Sequence, residues 1–116
     1  MTIIVDYMSN REIIEVDLKS AVEMSKKDGS KFVWLGREPK DYISKILGID
    51  SEMVLKEDPE DIIYGDKERL KSFDECVFVC YHGNTSGFVS KFLKRQHEVN
   101  SYSLKGGITA IVGEIF

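Results

Sequence analysis

The stretch from Val77 to Gly87 constrains the fold of this chain more than any other part of its sequence. Its first three residues, Val77-Phe78-Val79, are apolar and favour a buried parallel strand. Cys80 and a polar loop with two glycines follow, and an amphipathic run from Phe88 to Gln96 predicts a helix. Such a unit places the loop at the helix N-terminus, where free N–H groups point outwards.

The position of Cys80 gives its thiol a reason to ionise. Aligned peptide dipoles and unpaired amides at a helix N-terminus stabilise a thiolate. The same amides form a pocket for an anion. The sequence alone therefore predicts a nucleophilic cysteine inside an oxyanion cradle.

The rest of the chain predicts strands that alternate with helices. Besides Val77–Val79, strands are expected at Ile3–Val5, Ile13–Val16, Lys31–Leu35 and Val99–Leu104, of which the first two are either small edge strands or a hairpin. Residues 50–72 predict only short helical turns, Glu60–Tyr64 and one that Asp66 caps and that runs through Leu70 and Phe73.

Longer helices are predicted in three places. The first begins after the N-cap Asp17 and runs from Leu18 to about Lys27, and Gly29 closes it. The second begins at Pro39, faces the core with Tyr42, Ile43 and Ile46, and ends at Gly48. The last follows a turn at Lys105-Gly106-Gly107 and covers Ile108–Ile115. This alternation predicts an α/β fold with a mainly parallel five-stranded sheet, helices on both faces, and a ligand site beyond the strands' C-terminal ends.

Composition narrows the class of protein. The 116 residues fit a single domain, and a net charge of −4 argues against nucleic-acid binding. No apolar run reaches the length of a membrane span, and the N-terminus does not read as a signal peptide. We therefore expect a cytoplasmic protein with free thiols, and nothing in the sequence requires more than a monomer.

The same residues resemble a known family. The run Val-Phe-Val-Cys-Tyr-His-Gly-Asn-Thr-Ser, followed by a helix, a strand and Leu104-Lys105-Gly106-Gly107-Ile108, is similar to the rhodanese family, and most of all to single-domain thiosulfate sulfurtransferases. The segment Gly36-Arg37-Glu38-Pro39-Lys40-Asp41-Tyr42 resembles the family's Asp-Val-Arg-Glu-Pro-x-Glu-Tyr segment, with Leu35 in place of the aspartate before the arginine. The resemblance covers roughly residues 13–112, and residues 1–116 are interpreted as one rhodanese-like three-layer α/β/α domain.

The resemblance implies a thiosulfate sulfurtransferase. Cys80 would take the outer sulfur of a small anionic donor such as thiosulfate as a persulfide and pass it to cyanide or a thiol. No cofactor is expected. The alternative is a persulfide carrier or redox module that delivers sulfur to a partner protein, because the intermediate would be the same.

The loop residues after Cys80 are predicted to hold the persulfide. Backbone N–H groups of residues 81–86 would contact it, and Gly83 is needed for positive φ or close backbone approach. Thr85 and Ser86 either donate hydroxyl hydrogen bonds to it or cap the following helix. Asn84 suits an unusual turn conformation, and Tyr81 and His82 line the pocket, with no general base required.

Two further residues have competing interpretations. Arg37 either attracts an anionic donor at the mouth of the site or forms a salt bridge between loops. Cys76 is interpreted as a packing residue. In an extended strand it would lie about 13 Å from Cys80, whereas a disulfide needs Cα atoms within about 7 Å. The same distance excludes a zinc site built from Cys76, Cys80, His82 and His97.

Phosphatase or arsenate reductase chemistry is the rival from another enzyme class. Phosphatases of that kind place a thiolate in a wider loop whose arginine holds a tetrahedral oxyanion, with His before the Cys and Arg six residues after it. Val79 and Ser86 occupy those positions here, and the loop contains no arginine. The sequence therefore disfavours phosphate chemistry.

Overall fold

A five-stranded parallel sheet forms the centre of the structure, a computed structural model that describes residues 15–113. The strands are β1 (Glu15–Val16), β2 (Phe32–Trp34), β3 (Val54–Lys56), β4 (Val77–Val79) and β5 (Tyr102–Leu104). Their order is β1-β5-β4-β2-β3, and every neighbouring pair is parallel. The strand that precedes Cys80 is therefore central, with β5 on one side and β2 on the other.

Within residues 15–113, six α-helices cover the sheet. They are α1 (Leu18–Asp28), α2 (Lys40–Leu47), α3 (Pro59–Ile63), α4 (Lys67–Lys71), α5 (Asn84–His97) and α6 (Thr109–Val112), and a 3₁₀ turn at Ser51–Met53 precedes β3. Helices α3, α4 and α5 pack on one face of the sheet, and α1, α2 and α6 pack on the other.

Side-chain alternation along the central strands divides the core in two. Phe78 of β4 belongs to the cluster under α3, α4 and α5, whereas Val77 and Val79 belong to the cluster on the opposite face. Each fully buried side chain of this kind contributes about 1.5–3 kcal/mol relative to exposure. Because both faces of the sheet are covered, strands β2 and β4 consist of apolar residues only. The predicted three-layer architecture is confirmed.

The outer strands differ from the prediction. Of the strand predicted at Ile13–Val16, the described part is Glu15–Val16, which is parallel to β5 and is the last strand on that side of the sheet among residues 15–113. Ile3–Val5 and the beginning of Ile13–Val16 lie outside the described residues. The other edge strand, β3, was not predicted, because three residues beside a polar, acidic segment show too little alternation.

Most helix ends follow the predicted caps. Asp17 and Asp66 each accept a backbone N–H in the first turn of the next helix, as predicted, and Asp58 does the same before α3. Gly29 and Gly48 end α1 and α2 in the left-handed conformation. The last helix is shorter than the predicted Ile108–Ile115: it covers Thr109–Val112 and ends at Gly113, whose φ of 83° is not helical. Within residues 15–113, no helix is long and apolar enough to cross a membrane.

The prediction that Tyr42 faces the core was wrong. Tyr42 is 43% exposed, and Ile43, Ser44 and Leu47 are the buried residues of α2. Ile43 and Leu47 are four positions apart and share one helix face, whereas Tyr42 is rotated away from it. Ile46 is only partly buried but packs against the same cluster, as predicted.

Candidate active site

Cys80 follows the central strand β4 at its C-terminal end, and its sulfur faces the first turn of α5. The Sγ atom accepts the backbone N–H of Gly83 at 3.1 Å and that of Ser86 at 3.3 Å. The hydroxyl oxygen of Ser86 lies 3.4 Å from the same sulfur. The structure thus brings Cys80 together with two of the residues that the sequence placed in its loop.

Helix α5 begins earlier than predicted. It starts at Asn84 and not at Phe88, and Gly83, with φ of 94°, is its N-cap. Ser86 therefore occupies the third helical position, and the sulfur accepts an N–H that a capping side chain would otherwise bind. The sulfur thus lies at the positive end of a 14-residue helix, where a negative charge on it would be stabilised.

The early helix start corrects two predictions. Neither Thr85 nor Ser86 is the N-cap, because both lie inside the first turn. Asn84 has no positive φ and is an ordinary helical residue. The unusual conformation belongs to Gly83 alone, as the predicted need for positive φ required. Steric demand adds to it, since a Cβ atom there would lie 3.2 Å from the amide nitrogen of Gly106.

The glycine-containing turn after β5 binds the backbone of the Cys80 loop. The backbone N–H groups of Ile108 and Thr109 donate to the carbonyls of Cys80 and Tyr81 at 2.9 and 3.0 Å. Gly107 approaches both carbonyls so closely that a Cβ atom would lie 2.5 Å from each oxygen. The turn at residues 105–107 therefore fixes the loop's backbone.

Tyr81 joins the loop to the segment after β2. Its hydroxyl donates to Oε1 of Glu38 at 2.7 Å and accepts the backbone N–H of Arg37 at 2.9 Å. Its ring stands edge-on to Trp34, with centroids 5.2 Å apart. Burial raises the pKa of the Tyr81 phenol, and the Glu38 carboxylate acts in the same direction, so the phenol stays a donor. Tyr81 is thus both packed and part of the pocket wall.

An open depression of about 520 Å³ lies at the mouth of the site, lined by Arg37, Glu38, Tyr81 and His82. The Arg37 side chain is exposed and forms no ion pair with any residue between 15 and 113. The predicted alternative of a salt bridge is therefore not seen in the described part of the chain. His82 is exposed, and its Nδ1 lies 3.2 Å from the Thr109 hydroxyl, which places it on the rim.

Buried serines extend the site into the space between α5 and β5. The Ser86 hydroxyl lies 2.7 Å from that of Ser103, a β5 residue beside Phe78 of β4. One turn further along, Ser90 and Ser101 form a second pair at 2.9 Å. All four residues are buried. The first hydroxyl pair thus connects α5 to β5 and reaches the sulfur, and the second connects α5 to the residue before β5 and does not.

Cys76 stands apart from this site, as predicted. It is a free, buried thiol at the other end of β4, 3.8 Å from the carbonyl oxygen of Ser72. Burial raises the pKa of this thiol to about 11. Cys80 is also free, and the described residues hold no group of His, Cys, Asp and Glu that could bind a metal.

The roles of three residues in the site were not predicted from the sequence. Glu38 was read only as part of a motif, Ser103 as one position of a strand, and Gly107 as a turn. For Ser103 the sequence did contain a signal: a serine in a strand that is buried on both faces indicates that its hydroxyl has a hydrogen-bond partner. Glu38 and Tyr81 are 43 positions apart in the sequence, so no local sequence pattern predicts their hydrogen bond.

Comparison with solved structures identifies the class of fold. A crystal structure of a rhodanese-related protein from Thermoplasma volcanium superposes with a TM-score of 0.60 and 19% sequence identity. The match covers 89% of this chain and 94% of the other. No family model and no curated protein matches the sequence. This chain therefore has a rhodanese-like fold, as its motifs predicted.

Proposed function

We propose that this protein is a sulfurtransferase that carries sulfane sulfur as a persulfide on Cys80. The observation that carries the proposal is the position of the Cys80 sulfur, which accepts backbone N–H groups from Gly83 and Ser86 at the N-terminus of α5. These donors stabilise a thiolate, which is the form of cysteine that attacks sulfur. The rhodanese-like fold supports the same class of reaction.

The reaction divides into two displacements. The Cys80 thiolate attacks the outer sulfur of thiosulfate, a sulfur–sulfur bond forms, and sulfite leaves with the electron pair of the broken bond. The persulfide anion that remains gives its outer sulfur to cyanide or to a thiolate, and the Cys80 thiolate returns. Charge balances in both steps, and the leaving group is a weak base. His82 therefore has no proton to transfer and acts as part of the rim.

Further donors are available for the outer sulfur of the persulfide. The backbone N–H groups of Asn84 and Thr85 open the first turn of α5 and have no acceptor within residues 15–113. Fixed donors of this kind stabilise an anion without reorganising during the reaction. Loop residues Tyr81 to Ser86 thus act mainly through their backbone, and Arg37 at the mouth attracts the anionic donor.

The test is thiosulfate:cyanide sulfur transfer by the wild type and by Cys80→Ser. We expect the variant to lose activity to background, while Cys76→Ala, the matched change at the other thiol, retains it. Mass spectrometry of thiosulfate-treated protein should find one added sulfur atom in the wild type and in Cys76→Ala only. Substantial turnover by Cys80→Ser would refute the mechanism.

A persulfide carrier is the second candidate, and the exposure of Phe88 favours it. This aromatic residue is 57% exposed on the helix that begins at the loop, where a partner protein would meet it. The two functions differ in kinetics. Slow turnover of thiosulfate together with fast transfer to or from a persulfide protein would identify the carrier, whereas ping-pong kinetics with small substrates would identify the enzyme.

A further inference from the structure

We propose that Ser103 is a positioning residue that holds the Ser86 hydroxyl as a donor to the Cys80 sulfur. The inference rests on the proposed role of Cys80 as a thiolate nucleophile and adds a residue to it. Ser103 does not touch the sulfur. It acts through Ser86, whose hydroxyl oxygen is 3.4 Å from Sγ and 2.7 Å from the Ser103 hydroxyl.

The protonation of Cys80 decides which atom the Ser86 hydroxyl donates to. While Cys80 is a thiol, its proton points to the Ser86 oxygen, and the Ser86 proton goes to the Gly83 carbonyl at 3.2 Å or to Ser103. Once Cys80 is a thiolate, it has no proton to give and becomes an acceptor only. The Ser86 proton then has a charged acceptor, which it prefers to a neutral one.

Ser103 makes this reorientation favourable. Its hydroxyl has one acceptor among the described residues, the Ser86 oxygen, because no other hydrogen bond of its side chain is found there. Donation from Ser103 leaves the Ser86 proton free for the sulfur. The Gly83 carbonyl loses nothing, since it already accepts the N–H of Gly87 at 3.1 Å. A thiolate at Cys80 thus gains a third donor beside the N–H groups of Gly83 and Ser86.

Burial makes the effect large enough to measure. Ser86 and Ser103 are both fully buried, so water cannot take the place of a hydroxyl that a substitution removes. Hydrogen bonds to charged groups are stronger than neutral ones, and their strength rises where the local dielectric is low. Loss of the Ser103 hydroxyl should therefore reduce the fraction of thiolate at Cys80, and with it the rate of attack.

The chain supplies a matched control. Ser101 lies two positions before Ser103, immediately before β5, is also buried, and pairs with Ser90 instead of Ser86. Ser101→Ala therefore removes a comparable buried hydroxyl, bonded to the same helix, that does not touch Ser86. Ser103→Ala leaves no buried group without a partner, because Ser86 keeps the Gly83 carbonyl, so the variant should fold. Ser103→Thr keeps the hydroxyl and serves as the rescue variant.

The experiment measures two quantities as pH is raised from about 5 to about 9: thiolate absorbance near 240 nm, with Cys80→Ser as the blank, and the rate constant for alkylation of Cys80 by iodoacetamide. Wherever the wild-type signal still rises with pH, Ser103→Ala should lower both by about three- to tenfold, the range expected for the loss of one hydrogen bond of ordinary net strength. Ser101→Ala and Ser103→Thr should match the wild type. Urea unfolding, followed by Trp34 fluorescence, should give similar losses for the two alanine variants.

The outcomes separate this inference from the proposed function. Equal thiolate signals in Ser103→Ala and Ser101→Ala would overturn the inference, even if sulfur transfer by the wild type is rapid. A selective loss in Ser103→Ala would support it, even if no sulfur donor is turned over. Should Ser103→Ala fail to fold, Ser86→Ala removes the donor that Ser103 holds and adds no further thiol. An unchanged thiolate signal in that variant would then overturn the inference, and a reduced one would support it.

Discussion

The Cα of Gly107 lies against the carbonyl oxygen of Cys80, and a Cβ atom added there would be 2.5 Å from that oxygen. The next two residues, Ile108 and Thr109, donate their N–H groups to the carbonyls of Cys80 and Tyr81. The loop that presents the sulfur is therefore bound along its backbone by the turn after β5. Its geometry depends on a close approach that only glycine permits.

We predict that Gly107→Ala disturbs both stability and the site. The substitution adds the strain of a non-glycine residue at φ of 65°, about 1–2 kcal/mol, to a clash with two backbone carbonyls. The loop must move, so we expect a loss above about 3 kcal/mol and sulfur transfer reduced at least tenfold. Urea unfolding and the thiosulfate:cyanide assay measure the two effects.

Gly29→Ala is the control for conformational strain alone. Gly29 has a similar φ of 72°, but a Cβ atom there meets nothing within 4 Å. We expect a loss of about 1 kcal/mol and full activity. Equal losses of stability and activity in the two variants would show that the close approach at Gly107 does not shape the site.

Arg37 leads to a prediction about substrate binding. Its side chain is exposed at the mouth beside Tyr81, and its own backbone N–H is held by the Tyr81 hydroxyl. If it attracts an anionic donor without touching the reacting sulfur, Arg37→Gln should raise KM for thiosulfate about three- to tenfold and leave kcat nearly unchanged. The increase in KM should shrink at high ionic strength, because salt screens exposed charges.

A distant charge provides the control for Arg37. Lys27→Gln removes one positive charge from the last turn of α1. Because α1 connects two parallel strands, its last turn lies at the end of the sheet opposite the site. The KM of this variant should equal that of the wild type. A fall in kcat with unchanged KM in Arg37→Gln would instead assign the arginine to the chemical step.

The centre of the fold was predictable because its signals are local. Val77–Val79 is apolar throughout, as expected for a strand covered on both faces, and Asp17, Gly29 and Gly48 mark helix ends by their own backbone chemistry. The edge strand β3 carries no such signal. Its three residues pair with β2 through backbone hydrogen bonds that any sequence can form.

The candidate site was predictable in its nucleophile but not in its supports. Cys80 stands at a strand end before a glycine loop, which the sequence displays directly. The helix start was misplaced because Asn84, Thr85 and Ser86 are poor helix formers that usually precede a helix. Here the Cys80 sulfur accepts the Ser86 N–H, which allows the helix to begin at once. Tertiary contacts overrode local propensity at this point.

Cys76 gives a prediction about the pH dependence of stability. Burial raises the pKa of its thiol from 9.0 to about 11, so the folded protein keeps a proton that the unfolded chain loses above pH 9. Stability from this group is fully present below pH 9 and falls as pH rises from 9 to 11, because the unfolded state then binds fewer protons. The total loss should be about 2–3 kcal/mol.

The difference between wild type and Cys76→Ala isolates this effect. Tyr81 and Tyr102, whose phenol pKa values burial raises, are common to both proteins, so their contributions cancel in the comparison. Cys76→Ala should be less stable at pH 7, because it leaves a small gap in the core, but its free energy of unfolding should fall less steeply above pH 9. Two parallel curves of unfolding free energy between pH 8 and pH 11 would mean that the folded protein releases the Cys76 proton as readily as the unfolded chain, contrary to its burial beneath α4.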